Sequence, residues 1–164
     1  MLTFGALHTG IVYTFGALLV TAAVHDSRFF LIPNWLCLVV ALIFPIYATT
    51  SSTPVLWPVS LATAGVVLIF GLIAFARGWL GGGDVKLLAA VSLWAGLSGL
   101  STLFIVMTVA GGALTMFVVT LTWARSLFHL SPVGAASPAA TIRIPYGIAI
   151  AAGGLALIPQ LLSV

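Results

Sequence analysis

Four stretches of this chain, 1–25, 29–76, 87–124 and 144–164, contain no Asp, Glu, Lys or Arg. Only 4% of the residues are charged and 62% are hydrophobic, whereas ordinary soluble domains carry about 25% charged residues. A chain of this kind cannot cover itself with a polar surface, so it reads as an all-α integral membrane protein. An apolar helix crosses about 30 Å of hydrocarbon with about 20 residues. The first and last stretches each fit one crossing. The stretch 29–76 is too long for one, and the polar run Thr49-Thr50-Ser51-Ser52-Thr53-Pro54 marks where it turns back. Gly96-Leu97-Ser98-Gly99 marks a weaker turn in 87–124. The expected spans are 3–24, 35–49, 55–76, 85–97, 100–123 and 144–162, a bundle of about six transmembrane helices with the fourth short. Residues 1–164 are expected to form one transmembrane domain with no separate soluble domain. No Lys or Arg precedes the first apolar segment, which therefore reads as a span rather than a cleaved signal peptide. The longest connection, 126–141, is rich in small residues and contains Pro132 and Pro138.

The few charges orient the bundle. Arg28, Arg77, Lys86, Arg125 and Arg143 all fall on connections at one side. The positive-inside rule makes that side cytoplasmic, with both termini extracytoplasmic, as in a multi-pass protein of a bacterial-type inner membrane. The net charge is only +3 and no basic run occurs, so the expected partner is the lipid bilayer and not nucleic acid. Cys37 is the only cysteine, and inside an apolar stretch it reads as packing. His8, His25 and His129 are too scattered to form a ligand set, so no metal and no cofactor is expected.

Against this background the acids stand out. The chain has no Glu and two Asp, Asp26 and Asp84. An Asp at mid-membrane costs about 2.5–3.5 kcal/mol, so such residues are retained mostly for function. The plainer reading makes them interfacial caps, or partners of Arg28 and Lys86. Their surroundings argue otherwise. Asp84 follows Gly81-Gly82-Gly83 and precedes Val85-Lys86. Three glycines cost about 1 kcal/mol each in a helix, yet they permit positive φ and close approach of another backbone. Such a platform beside a carboxylate suits an extended peptide. Asp26 lies where the first helix is expected to end, and Pro33-Asn34-Trp35 introduces the second, with Asn34 as a candidate cap.

The order Asp26-x-Arg28-x-x-x-Ile32-Pro33-Asn34, then Gly81-Gly82-Gly83-Asp84-Val85-Lys86-Leu87, resembles the type IV prepilin peptidases. These are membrane aspartic proteases with a Gly-x-Gly-Asp motif, distantly similar in active-site logic to presenilin and signal peptide peptidase. The resemblance extends to Ile144-Pro145-Tyr146-Gly147. It implies catalytic roles for Asp26 and Asp84 and an aspartic endopeptidase activity. The implied substrate is a prepilin-like precursor, cut at the cytoplasmic face between its short basic leader and its hydrophobic helix. The short length is similar to that of the enzymes serving tight-adherence (Flp) pili. Larger relatives carry an extra cytoplasmic region with paired cysteines and also methylate the new N-terminus, so no methyltransferase activity is expected here.

Two carboxylates in one site cannot easily both ionise, and the pair titrates as a unit. One takes a proton from the attacking water and the other donates to the developing oxyanion. An α-helix N-terminus favours negative charge and a C-terminus disfavours it. That argument makes Asp84 the initial base and Asp26 the initial acid. Lys86 reads as an interfacial snorkelling residue or as a partner for an acidic group on the substrate. Pro145 is expected to start the last helix, with Tyr146 and Gly147 facing the site or Tyr146 anchoring at the interface. The competing functions are a small proton- or ion-coupled transporter, or a non-enzymatic membrane subunit of a secretion system.

Overall fold

The structure, a computed structural model, describes residues 2–127 and 144–163. Every regular element among them is an α-helix: α1 Leu2–Phe29, α2 Asn34–Leu42, α3 Phe44–Thr50, α4 Trp57–Ala76, α5 Gly82–Leu127, α6 Tyr146–Leu155 and α7 Ile158–Leu162. Gly5–Phe29, Trp57–Ala76 and Gly82–Ala124 are long and apolar enough to cross a membrane, and Asn34–Thr50 and Tyr146–Leu162 are shorter apolar runs. Side chains on the outer surface fit a hydrocarbon surrounding: Phe70, Val109, Met116 and Phe117 are all exposed. The protein is an all-helical membrane protein.

Proline sets the helix starts. Pro33 is the N-cap of α2, Pro145 that of α6, and α3, α4 and α7 each carry a proline at the first or second position. A proline has no N–H to donate, which is harmless in a first turn and disruptive further in. This is why the apolar run after Asn34 splits at Ile43, ahead of Pro45, and the last run splits at Ala156-Leu157, ahead of Pro159.

Three boundaries differ from the sequence-based expectation. Helix α1 continues past residue 24 to Phe29 because residues 25–29 contain no Gly or Pro to stop it. It ends at Phe30, a non-glycine residue at φ 50°. No loop separates 85–97 from 100–123. The helical run is broken at Gly96 alone (φ 55°, ψ −164°), a conformation in which a Cβ would be strained. The expected loop 126–141 is helical at its first two residues, and the rest lies outside the described residues, as do His129, Pro132, Pro138 and Arg143.

Trp94 ties the core together. Its ring stacks on Phe15 of α1 at 4.3 Å, meets Tyr47 of α3 at 5.0 Å and takes Phe44 edge-on at 5.9 Å. Its indole N–H donates to the Val40 carbonyl of α2 at 2.9 Å. One buried side chain thus fixes four helices and leaves no polar atom unpaired. The most extensive helix contacts are α4 with α5 and α5 with α6. Both rely on small residues that let helices approach: a Cβ on Gly71 would fall 2.7 Å from Val85, and one on Gly153 would fall 2.7 Å from the Leu103 carbonyl.

Candidate active site

Asp26 occupies the last turn of α1 and is 4% exposed. The turn that follows is fixed by Phe30 N–H donating to the Asp26 carbonyl at 2.8 Å and by His25 Nδ1–H donating to the Leu31 carbonyl at 2.6 Å. The chain then runs without regular structure through Leu31, Ile32 and Pro33. His25 therefore holds backbone. His8 is also structural, with Nε2–H donating to the Leu161 carbonyl at 2.9 Å and its ring against Tyr47.

Asp84 is the third residue of α5 and is half-buried. Its carboxyl curls back over the helix start, toward Gly81. That is the reach of an N-terminal acidic residue toward its own cap. A Cβ on Gly81 would fall 2.8 Å from Asp84 Oδ2.

The glycine run differs from the open platform expected. Gly82 and Gly83 form the first turn of α5, and the glycines at positive φ are Gly78 and Gly96. What the run permits is close approach. A Cβ on Gly83 would lie 3.2–3.4 Å from the Cβ, carbonyl and nitrogen of Ile32. The start of α5 is thereby pressed against the segment that follows Asp26. Cys37 packs beneath, buried, with its thiol 3.9 Å from the Gly83 carbonyl.

A third element completes the site. Gly147, in the first turn of α6, donates its buried N–H to Asp26 Oδ2 at 2.8 Å. The first N–H groups of a helix have no partner within it and carry partial positive charge. Asp26 thus caps α6 from 121 positions away. It lies at the C-terminal end of its own helix and on the N-terminal end of another. The helix-dipole argument that separates base from acid considers α1 alone. With α6 included, both carboxylates lie on helix N-termini and that asymmetry is gone.

Asp26 and Asp84 line one cavity of about 390 Å³ and are close enough to act on each other electrostatically. Phe30, Leu31, Ile32, Asn34, Gly81, Gly82, Gly83 and Lys86 complete its wall. The Asn34 side chain does not cap α2. It accepts a hydrogen bond from Lys86 Nζ at 2.8 Å, bridging α2 and α5 at the cavity's exposed edge. Lys86 therefore bonds an amide and not either aspartate. Pro145 is buried behind Gly147 in sequence and outside the cavity wall. Tyr146 lines a different cavity, of about 370 Å³, with Leu80, Leu88 and Gly111 among others. Among the described residues no group of three or more His, Cys, Asp or Glu could hold a metal ion.

Sequence reasoning missed Ile32 as a wall and Asn34 as a partner of Lys86. It also missed the Gly147–Asp26 bond. The local signal for that bond was a glycine directly after Pro-Tyr at a helix start. Nothing in it named its acceptor.

Comparison with family models matches residues 13–121 to the type IV leader peptidase family. The match includes both aspartates and the glycine run and stops before α6. No curated protein and no solved structure matches the chain.

Proposed function

We propose, because this chain belongs to the type IV leader peptidase family, that it is a membrane-embedded aspartic endopeptidase acting on prepilin-like precursors. The observation that carries the reading is that the chain's only acids, 58 positions apart, line one cavity. The cut removes a short basic leader ahead of the precursor's hydrophobic helix. Arg28, Arg77 and Lys86 stand beside the ends of α1, α4 and α5 that carry or adjoin the aspartates, which supports a cytoplasmic location for that end. Counting the break at Gly96 as a division of α5, with 34–50 and 146–162 as further crossings, gives six spans and extracytoplasmic termini.

The chemistry follows from two carboxylates with one proton between them. The ionised member takes a proton from a water as it attacks the scissile carbonyl. The protonated member donates a hydrogen bond to the developing oxyanion, and a proton then passes to the leaving amine. The Gly147 N–H holds Oδ2 of Asp26, and the carboxyl keeps further lone pairs for a water. The irregular segment Leu31-Ile32 along the wall offers backbone groups to an extended leader. Cleavage alone is proposed, without methylation of the product.

The test is leader removal from a purified prepilin-type precursor by protein reconstituted in vesicles. The parent is expected to cleave, and Asp26→Asn and Asp84→Asn are each expected to lose at least about 10³-fold in rate. Undiminished cleavage by either variant overturns the aspartic mechanism. A parent that translocates protons without cleaving any precursor favours the transporter reading instead.

A further inference from the structure

A cavity larger than the one between the aspartates lies elsewhere among the described residues. It encloses about 600 Å³ and is lined by the four consecutive residues Ala95, Gly96, Leu97 and Ser98, where α5 breaks. At about 1.5 Å per residue, Ser98 lies roughly 20 Å along α5 from Asp84. The two sites are therefore at separate depths of the bundle.

Two buried side chains with hydroxyl groups stand in its wall, beside the more exposed Thr53, Ser98 and Gln160. Ser60 is 6% exposed and Tyr47 is 3% exposed, and both line the cavity. Neither hydroxyl makes a hydrogen bond among the described residues. Neither is sealed away as His8 Nδ1 is, and Ser60 Oγ lies beside Gly96, another residue of the cavity wall. A buried hydroxyl left unpaired is costly, so these two favour a ligand that accepts from them. The backbone adds further donors, because a helix that restarts after a break has N–H groups without intrahelical partners. Opposite these, Leu56, Val59, Leu157 and Leu161 form an apolar wall, and no charged residue lines the cavity.

That combination selects its ligand by chemistry. The polar end must be rich in acceptors and uncharged where it is held, and the remainder must be apolar. We infer that this cavity binds a bilayer phospholipid by its glycerol–ester region, with Ser60 and Tyr47 donating to ester oxygens. One acyl chain lies along the apolar wall. The bound lipid bridges α3, α4, α5 and α7 and satisfies the break at Gly96. This inference is independent of the peptidase reading, because it uses no residue of the aspartate cavity.

The tryptophans provide the test. Trp94 lines this cavity and is 3% exposed, whereas Trp35, Trp57, Trp79 and Trp123 are 58–72% exposed. A variant with those four changed to Phe leaves Trp94 as the sole tryptophan, excited selectively at the red edge of its absorption. In vesicles of phosphatidylcholine brominated near the ester end of its acyl chains, Trp94 should lose more than half its emission. Ser60→Leu, which removes a donor and narrows the cavity beside Gly96, should restore most of it. Tyr47→Phe, which keeps the ring packing and removes one donor, should restore part. Native mass spectrometry of the otherwise unaltered protein should show one retained phospholipid, lost in Ser60→Leu. Equal Trp94 emission with and without bromine overturns the inference, as does quenching that Ser60→Leu leaves unchanged. A cavity holding only water leaves Trp94 open to aqueous acrylamide but blind to bromine, and overturns it too.

Discussion

Asp84 meets the N-terminus of the helix it belongs to, whereas Asp26 meets one that begins at the far end of the chain. The first arrangement is local: a glycine run, an acid at the third position and a carboxyl folded back on Gly81. The second joins the end of α1 to the start of α6 and exists only once the bundle has assembled. The local half can relax when disturbed, because its carboxyl is the free end of a side chain. The long-range half cannot, because Asp26 is held by the Gly147 amide and is almost fully buried.

Substitutions at the glycines should expose that difference. Gly147→Ala is expected to have the largest effect. Its Cβ would fall 2.8 Å from Asp26 Oδ2, 3.0 Å from Asp26 Cβ and 2.9 Å from Ile32 Cδ1. Rotating the carboxyl relieves only the first of these, so Asp26 must move bodily. A displacement near 1 Å costs about 10²-fold in turnover, and that loss should appear in kcat. Gly81→Ala should cost less, about tenfold, since its close contacts are with the Asp84 carboxyl, which can swing aside. A larger loss at Gly81 than at Gly147 would reverse the comparison.

The pH profile of cleavage sharpens it further. One carboxylate must be ionised and one protonated, so activity should fall on both sides of a maximum. Acid removes the ionised member and alkali the protonated one. A rate that stays level as the pH rises would show that no shared proton is needed. The smallest effect is expected for Lys86→Met. It removes one exposed hydrogen bond, to Asn34, at the cavity edge. Cleavage should change by about tenfold or less, through KM and not kcat.

How much of this was legible follows from sequence distance. The membrane class and the all-helical make-up came from where charges are absent. The two acids came from their rarity. Helix ends were read less well: α1 runs on through Asp26, and the turn expected at 96–99 is a single-residue break. Gly96 interrupts a helix without starting a loop, because one residue at positive φ redirects the chain while its neighbours remain helical. Asn34 looked like a cap because it follows a proline, yet its amide serves Lys86 from 52 positions away. Such partners follow from helix packing and cannot be read from spacing. The Gly147 amide, outside the family match as well as outside any local motif, is the extreme case.

The central claim is that Asp26 and Asp84 act as one unit. Residues that work together are strongly non-additive when removed. The direct measurement is leader cleavage by reconstituted Asp26→Asn, Asp84→Asn and the double variant, side by side. Each single change should cost at least about 10³-fold, and the double should be no slower than the worse single. Losses that multiply, or a single variant close to the parent rate, would contradict the shared site.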